Sequence, residues 1–426
     1  MEFHDIAIIG GGASGLAAAV AAAKELKSAN KAARIVVLEG NKKLGKKLLA
    51  TGNGRCNLTN MNATTEHYFG DIKFAAKLFE DFTPEKIRDY FMDIGLFTTA
   101  DSEGRVYPYN KQAAAVLEVL RLAASGMGVE FTTEFNVASV SKVGKNYTVI
   151  SEDGKEIKVA KCILATGGKA SPKLLSATNG YDIAASLGHS STGLYPVLLQ
   201  LKSGDKFLKN LSGMRCKADI TLIADGEDIH SESGELLFAD KSISGICIFG
   251  LSIYAGEFYA TGKINGKKYR ELSVKADLAP EYSYERIVSY INSRIAETPE
   301  LPAGDILCGL LNMKVGREII RKCGIDTLAA AKSIRREKVP QIAKAVKGLI
   351  IPINGTKDWD DAQVTAGGIP LREININTME SRVSQGLYLC GELLNIHGEC
   401  GGFNLHWAWL SGIKAGTSAA KYLKGK

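Results

Sequence analysis

The chain has 426 residues, of which 45% are apolar and 23% charged, and its formal net charge is +7. That composition is globular and excludes a mainly disordered, collagenous or coiled-coil protein. So small a charge surplus does not by itself specify a nucleic-acid partner.

Phe3–Ile9 is an apolar run that ends at glycines, and it predicts a strand buried on both faces. The Ala-rich stretch Ser14–Ala29 predicts a helix, and Arg34–Leu38 predicts a second buried strand. Together they make a β-α-β unit, whose crossover is almost always right-handed. Ile6–Ala23 holds 18 residues without a charge, the lower limit for a membrane span. Gly10, Gly11, Gly12 and Gly15 within it favour strand, turn and helix, and no transmembrane segment is expected. Helical patterns follow at Asp71–Phe82, Pro84–Ile94 and Gln112–Ala124. Val129–Thr133, Val137–Val143, Tyr147–Ser151 and Glu156–Val159 are short alternating runs and predict an antiparallel meander. Lys161–Ala165 returns to the buried-strand type.

Near Tyr195 the texture changes. Strand-like runs at Leu198–Leu201, Ala218–Ala224 and Leu272–Ala276 precede short helical patterns from Tyr284 to Lys347. Leu387–Cys390 reads as a strand, and a Gly-rich loop then leads into a long helix. The fold class is α/β. The simplest organisation is a nucleotide-binding domain in two parts, 1–190 and 355–426, around an insert at 191–354 that is β-rich and then helical.

Eight cysteines show neither CxxC nor zinc spacing, so the expectation is free thiols, no metal site and a reducing cytoplasm. The first residues lack a cationic region and a cleavage site, so no signal peptide is expected.

Gly10-x-Gly12-x-x-Gly15 follows a predicted strand and opens a predicted helix. Gly10 permits the tight turn, Gly12 lets backbone approach a pyrophosphate, and Gly15 lets helix and strand pack closely. The helix start at Ala13 and Ser14 offers free N–H groups and positive dipole. Glu39 ends the second strand, 24 residues after Gly15, and is placed to take a ribose hydroxyl pair. Its charge opposes a 2′-phosphate, which leaves FAD or NAD. The loop from Gly40 carries Lys46 and Lys47 and then Thr51, Gly52, Asn53, Gly54, Arg55, Cys56 and Asn57. That composition suits a loop wrapping a pyrophosphate, with Cys56 read as a packed thiol.

Two further segments favour FAD. One is CILATGG, Cys162–Gly168, with Thr166, Gly167 and Gly168 ending a buried strand. The other is GLYLCGE, Gly386–Glu392, ending in Gly391 and Glu392. In order and spacing they resemble the two-dinucleotide-binding flavoproteins. That resemblance places the meander, from Val137, with the ATG segment over the adenine, and puts Gly391–Glu392 on the ribityl chain. No second GxGxxG is found, so a dedicated Rossmann site for NAD(P)H is not expected.

KKLLATGNGRCNLTN, LATGGKASPKLLSATNGYDIAASLGHSSTGLYPVL, VTAGGIPLREINI and GLYLCGELLNIHGECGGFNLHWAWLSGIKAG together resemble one bacterial family. It is the FAD-dependent oxidoreductase family of the aminoacetone-oxidase and bile-acid-reductase type. The resemblance covers about 1–200 and 348–426 well and 200–347 loosely. It implies FAD, a single Rossmann domain, and β-rich and helical inserts. Asn53 stands where many members have Gly, and His397 and Glu399 occupy a loop that varies among members.

Gly401, Gly402, Phe403 and Asn404 open the last helix, whose N-terminus would face the flavin pyrimidine ring. His397 and His406 read as hydrogen-bonded or exposed side chains, and Trp407 and Trp409 as packing. The resemblance carries the junction at Tyr195 over the isoalloxazine, where Tyr195 would donate a proton or orient a carbonyl. Lys314–Lys347 holds ten Lys or Arg and three acids, read as solvated helix faces or as attraction for an anion. No hydrolytic constellation is present. The functional expectation is NAD(P)H-driven reduction, through FAD, of a C=C bond conjugated to a ketone in a steroid-like small molecule, without nucleic acid. The alternatives are an amine oxidase and a flavin-containing RNA-binding protein.

Overall fold

A computed structural model describes residues 2–174 and 179–424. Part of one quoted motif, Leu175 to Thr178, lies outside the described residues. The chain forms two units, Met1–Pro196 with Ala362–Lys426, and Val197–Asp361.

In the first unit, five parallel strands run in the order Leu387–Leu389, Glu156–Leu164, Glu2–Ile9, Ile35–Leu38 and Glu130–Thr132. The carboxyl-terminal halves of the central strands, Ile6–Ile9 and Cys162–Leu164, and all of Ile35–Leu38 are apolar and buried. Ile6, Ala7, Ile8, Val37, Ile163 and Leu164 are fully buried. The helix Ala13–Ser28 has almost no polar face, and Leu16 through Val20 are also fully buried. It is covered by the helix Phe403–Lys424. A Cβ at Gly412 would stand 2.3 Å from the Ser14 carbonyl oxygen, and one at Gly416 would stand 2.1 Å from that of Ala18. Glycine there lets the two helix backbones touch. Among the described residues, no helix is long and apolar enough to cross a membrane.

Two local expectations are corrected. The segment expected to open the meander, Glu130–Thr132, instead runs parallel to Ile35–Leu38 at the sheet edge. It follows the helix Ala113–Ser125, so it completes a second crossover. The meander therefore has three strands: Val137–Val143, Asn146–Ser151 and the start of Glu156–Leu164. Glu156–Val159 and Lys161–Ala165, read as two strands, are one. Its first half pairs with the meander while its whole length pairs with Glu2–Ile9. Lys161 breaks the apolar pattern but is 4% exposed, with its ammonium over the Tyr422 ring.

The second unit is built on a seven-stranded antiparallel sheet. Its order is Leu349–Ile353, Leu272–Asp277, Arg215–Ala224, Glu227–Ala239, Ser242–Ser244, Leu201–Lys202 and Gly355–Thr356. The helix Ile246–Thr261 packs into the same core as this sheet and has no counterpart among the sequence expectations. Helices Tyr284–Glu297, Met313–Lys322 and Lys338–Lys347 complete the unit.

Candidate functional site

The glycine fingerprint opens a gap at the carboxyl end of the first strand. Gly10 has φ +107°, and a Cβ there would meet the Ala165 carbonyl oxygen at 2.4 Å. A Cβ at Gly15 would meet the Gly10 carbonyl oxygen at 1.9 Å. Gly12 differs: a Cβ there meets nothing within 4 Å. The helix that starts at Ala13 has no side-chain cap and no acidic residue in its first turn. Its first N–H groups therefore face open space beside Gly12, an arrangement that suits a phosphate.

Glu39 is 4% exposed. Its Oε2 accepts the Gly11 N–H at 2.9 Å, and its Oε1 accepts the Asn41 backbone N–H at 2.8 Å and side-chain amide at 3.1 Å. The carboxylate is thus fixed before any ligand arrives, with about one acceptor site, on Oε2, remaining for a further donor. Gly10, Gly40, Phe135, Val137, Thr166 and Asn179 line one cavity next to it. Two buried polar atoms in that lining, Thr166 Oγ1 and Asn179 Oδ1, have no partner among the described residues. Cavity, free N–H groups and unpaired atoms together fit the adenosine and pyrophosphate of a dinucleotide. Asn179 was absent from the sequence expectations, although it stands only 13 residues after Thr166.

The loop after Glu39 is wound by positive φ at Gly52, Asn53, Gly54 and Cys56. Thr51 Oγ1 donates to the Leu48 carbonyl at 2.7 Å. Cys56 is fully buried, and desolvation pushes its thiol up to about 12. It is a packed thiol. Lys46 donates to the Lys173 carbonyl at 2.7 Å, and Lys47 pairs with Glu392 at 2.8 Å. The other Glu392 oxygen accepts the Thr365 N–H at 2.8 Å. Gly168 touches this group: a Cβ there would meet Thr365 Oγ1 at 2.4 Å and Glu392 Oε1 at 2.8 Å. Gly167 and Gly391 have φ of +76° and +75°, and a Cβ at Gly391 would meet Ser14 Oγ at 2.5 Å. The structure thus gathers Ser14, Lys47, Gly168, Gly391 and Glu392 from both ends of the chain.

Gly401 and Gly402, with φ of +129° and +102°, lead into the last helix. Phe403 stacks on His67 at 4.6 Å. Asn404 is turned inward, its amide bonded to Gly398 N–H and to the Gly398 and Glu399 carbonyls at 2.8–3.1 Å. Tyr195 is half-buried and begins the strand Tyr195–Val197 at the edge of the first unit.

Of the two histidines, His397, in the strand Ile396–Gly398, departs from expectation, whereas His406, in the last helix, is hydrogen-bonded through one nitrogen. His397 is 3% exposed and stacked on Phe69, and neither ring nitrogen has a partner among the described residues. His406 bonds Thr59 Oγ1 at 2.7 Å through Nδ1, while its Nε2 is unpaired among the described residues. Desolvation lowers both to about 4.

The basic run is largely engaged. Arg317, Arg321, Lys322, Lys332 and Lys347 form ion pairs with Asp305, Glu318, Asp205, Glu300 and Asp277. Lys338 donates to the Cys323 carbonyl. Lys314, Arg335, Arg336 and Lys344 are exposed.

The family described as HI0933-like protein Rossmann domain matches residues 4–418. The chain is 35% identical to a 3-dehydro-bile acid delta(4,6)-reductase of Clostridium scindens, covering 98% of this chain and 99% of that one. It is 28% identical to a ribosomal RNA dihydrouridine synthase of Haemophilus influenzae, covering 99% of each chain. Among solved structures, a 3-ketosteroid-delta4-(5alpha)-dehydrogenase from Rhodococcus jostii RHA1 is 16% identical, covers 98% of this chain and 97% of that one, and has a TM-score of 0.46. The chain belongs to the HI0933-like Rossmann family of FAD-dependent oxidoreductases.

Proposed function

We propose that the protein reduces a carbon–carbon double bond conjugated to a carbonyl, in a steroid-like acid, with NAD(P)H as electron donor. The observation that carries this reading is the 35% identity to a bile-acid reductase over nearly the whole of both chains. The name of the more distant relative also denotes saturation of a double bond conjugated to a carbonyl, that of uracil. FAD, when bound, supplies two-electron hydride chemistry. The chain's own residues bind, orient and shield it. Gly10, Gly12, Ala13, Ser14 and Gly15 accommodate the pyrophosphate, and Glu39 and Gly40 the ribose. Val137, Thr166 and Gly167 border the adenosine, with Lys46, Lys47, Thr51, Gly52, Asn53 and Cys56 wrapping the opposite side. Gly168, Gly391, Glu392, Gly401, Gly402, Phe403 and Asn404 shape the ribityl and flavin end. Tyr195 donates a proton to the substrate carbon next to the carbonyl. The location proposed is cytoplasmic.

The test is anaerobic turnover with NADH or NADPH and a 3-oxo-4-ene bile acid. The expected product gains two hydrogens and loses the enone absorbance. Turnover only with oxygen, yielding peroxide and an oxidised amine, would favour an oxidase. A second reading, with a uridine in RNA as substrate, rests on the dihydrouridine synthase likeness. Four exposed cations of the basic run offer it modest electrostatic support. Dihydrouridine in RNA treated with the enzyme, and an intact enone, would establish it.

A further inference from the structure

We infer that Asn179 reads the adenine base of the dinucleotide, accepting the exocyclic N6 amine on its Oδ1. The inference rests on FAD being the cofactor and adds a residue that selects its base. The amide orientation is set by the protein: Nδ2 donates to the Val137 carbonyl at 2.8 Å. Turning the amide over would set oxygen against oxygen, so Oδ1 must face away from Val137. There it is buried and without a partner among the described residues, and Asn179 lines a cavity with Gly10, Gly40 and Thr166. A buried acceptor left unpaired is unfavourable, so the bound state should bring it a donor.

The choice of donor follows from the neighbours. Glu39 is the anionic acceptor in this part of the site, and its remaining acceptor site suits a ribose hydroxyl. Asn179 is neutral, and a carbonyl oxygen held by its own amide matches the N–H of an aromatic amine. Asn179 Oδ1 thus presents an acceptor, the complement of the adenine amine at N6. A 6-oxopurine presents an acceptor where adenine presents its amine, and Asn179 Oδ1 would oppose it.

The experiment compares FAD with flavin hypoxanthine dinucleotide, which carries oxygen in place of the amine, on flavin-stripped full-length protein. Affinity is read by quenching of flavin fluorescence. The expected result is binding of the 6-oxopurine dinucleotide roughly tenfold or more weakly than FAD, the size of one buried hydrogen bond lost. In Asn179→Leu the two dinucleotides should bind alike, with the melting temperature of the stripped variant recorded alongside. Equal affinities in the unaltered protein would overturn the inference and leave FAD as cofactor intact. Binding of neither dinucleotide would overturn both.

Discussion

The ends of the candidate site proposed for adenosine and for the ribityl chain handle several of their polar groups in opposite ways. At the adenosine end, Gly12 borders open space, and Thr166 Oγ1 and Asn179 Oδ1 have no partner among the described residues. At the ribityl end, Glu392 is tied to Lys47 and Thr365, and Asn404 to Gly398 and Glu399. Unpaired groups at the first end make it dependent on the ligand to complete its hydrogen bonding. At the second end these two side chains are paired without a ligand, so they contribute shape and preorganisation, and the unpaired atoms there are ring nitrogens of His397 and His406. Glu39 stands between these extremes, since it is fixed by Gly11 and Asn41 and still has about one acceptor site to offer.

Gly12→Ala separates space from fold most sharply. The added methyl meets nothing in the protein but intrudes where the pyrophosphate would lie. Stripped protein should keep its melting temperature, while FAD affinity falls about 10- to 100-fold, the scale of 1–3 kcal/mol of overpacking. Unchanged affinity would mean that the phosphates lie elsewhere.

Glu39→Ala should act on both states. The sequence alone suggests that this change weakens FAD and spares the apo fold. The structure alters that expectation, because the variant also strands the Gly11 and Asn41 N–H groups. FAD affinity should drop at least about tenfold, and apo stability by roughly 1–3 kcal/mol, in denaturant titrations. Glu39→Gln should recover part of the stability, since its amide oxygen still accepts one of the two N–H groups.

The buried histidines give the ribityl side a pH signature. His397 and His406 are held at about 4 when folded, against an ordinary 6.5. The unfolded chain therefore binds more protons between those values, and stability is lost as pH falls from about 6.5 toward 4. At pH 4.5 each imidazole should account for about 2–3 kcal/mol. His397→Phe keeps an aromatic ring against Phe69 and should flatten this dependence by one histidine's share. If variant and parent lose stability in parallel, the His397 assignment fails.

Lys47→Met should have the smallest effect. Its ion pair with Glu392 is partly exposed, at 26% and 21%, so the apo protein should lose no more than about 1 kcal/mol. A larger loss than in Glu39→Ala would reverse the contrast between the two ends.

Local constraints made the adenosine end readable. Gly10 and Gly15 are written into the sequence because their Cβ positions are occupied by backbone, and the runs Ile6–Ile9 and Ile35–Leu38 on either side of the unit are apolar. The joining of Lys47 to Glu392, 345 residues apart, leaves no local mark. Asn179 escaped notice because its importance lies in which atom Val137 leaves unpaired. The helix Ile246–Thr261 was unreadable for another reason. Buried residues such as Cys247, Ile248, Leu251, Ile253, Ala255 and Phe258 spread around it, and a helix apolar on most sides carries little 3.6-residue period. Lys161 had the converse effect, splitting one strand into two in the sequence pattern.

The glycine seam between Ala13–Ser28 and Phe403–Lys424 also sets a timetable. Ser14 and Gly412 are about 400 residues apart, so at 5–20 residues per second the first helix waits roughly 20–80 s for its partner to be made. Throughout that interval its alanine-rich flank has no Gly412 or Gly416 to meet. The core of the middle unit draws on 201–353 and is fully synthesised before Gly412 is added. The nascent chain therefore holds the whole glycine fingerprint long before it holds Gly391 and the last helix. Cofactor capture by the finished site therefore belongs to the end of synthesis.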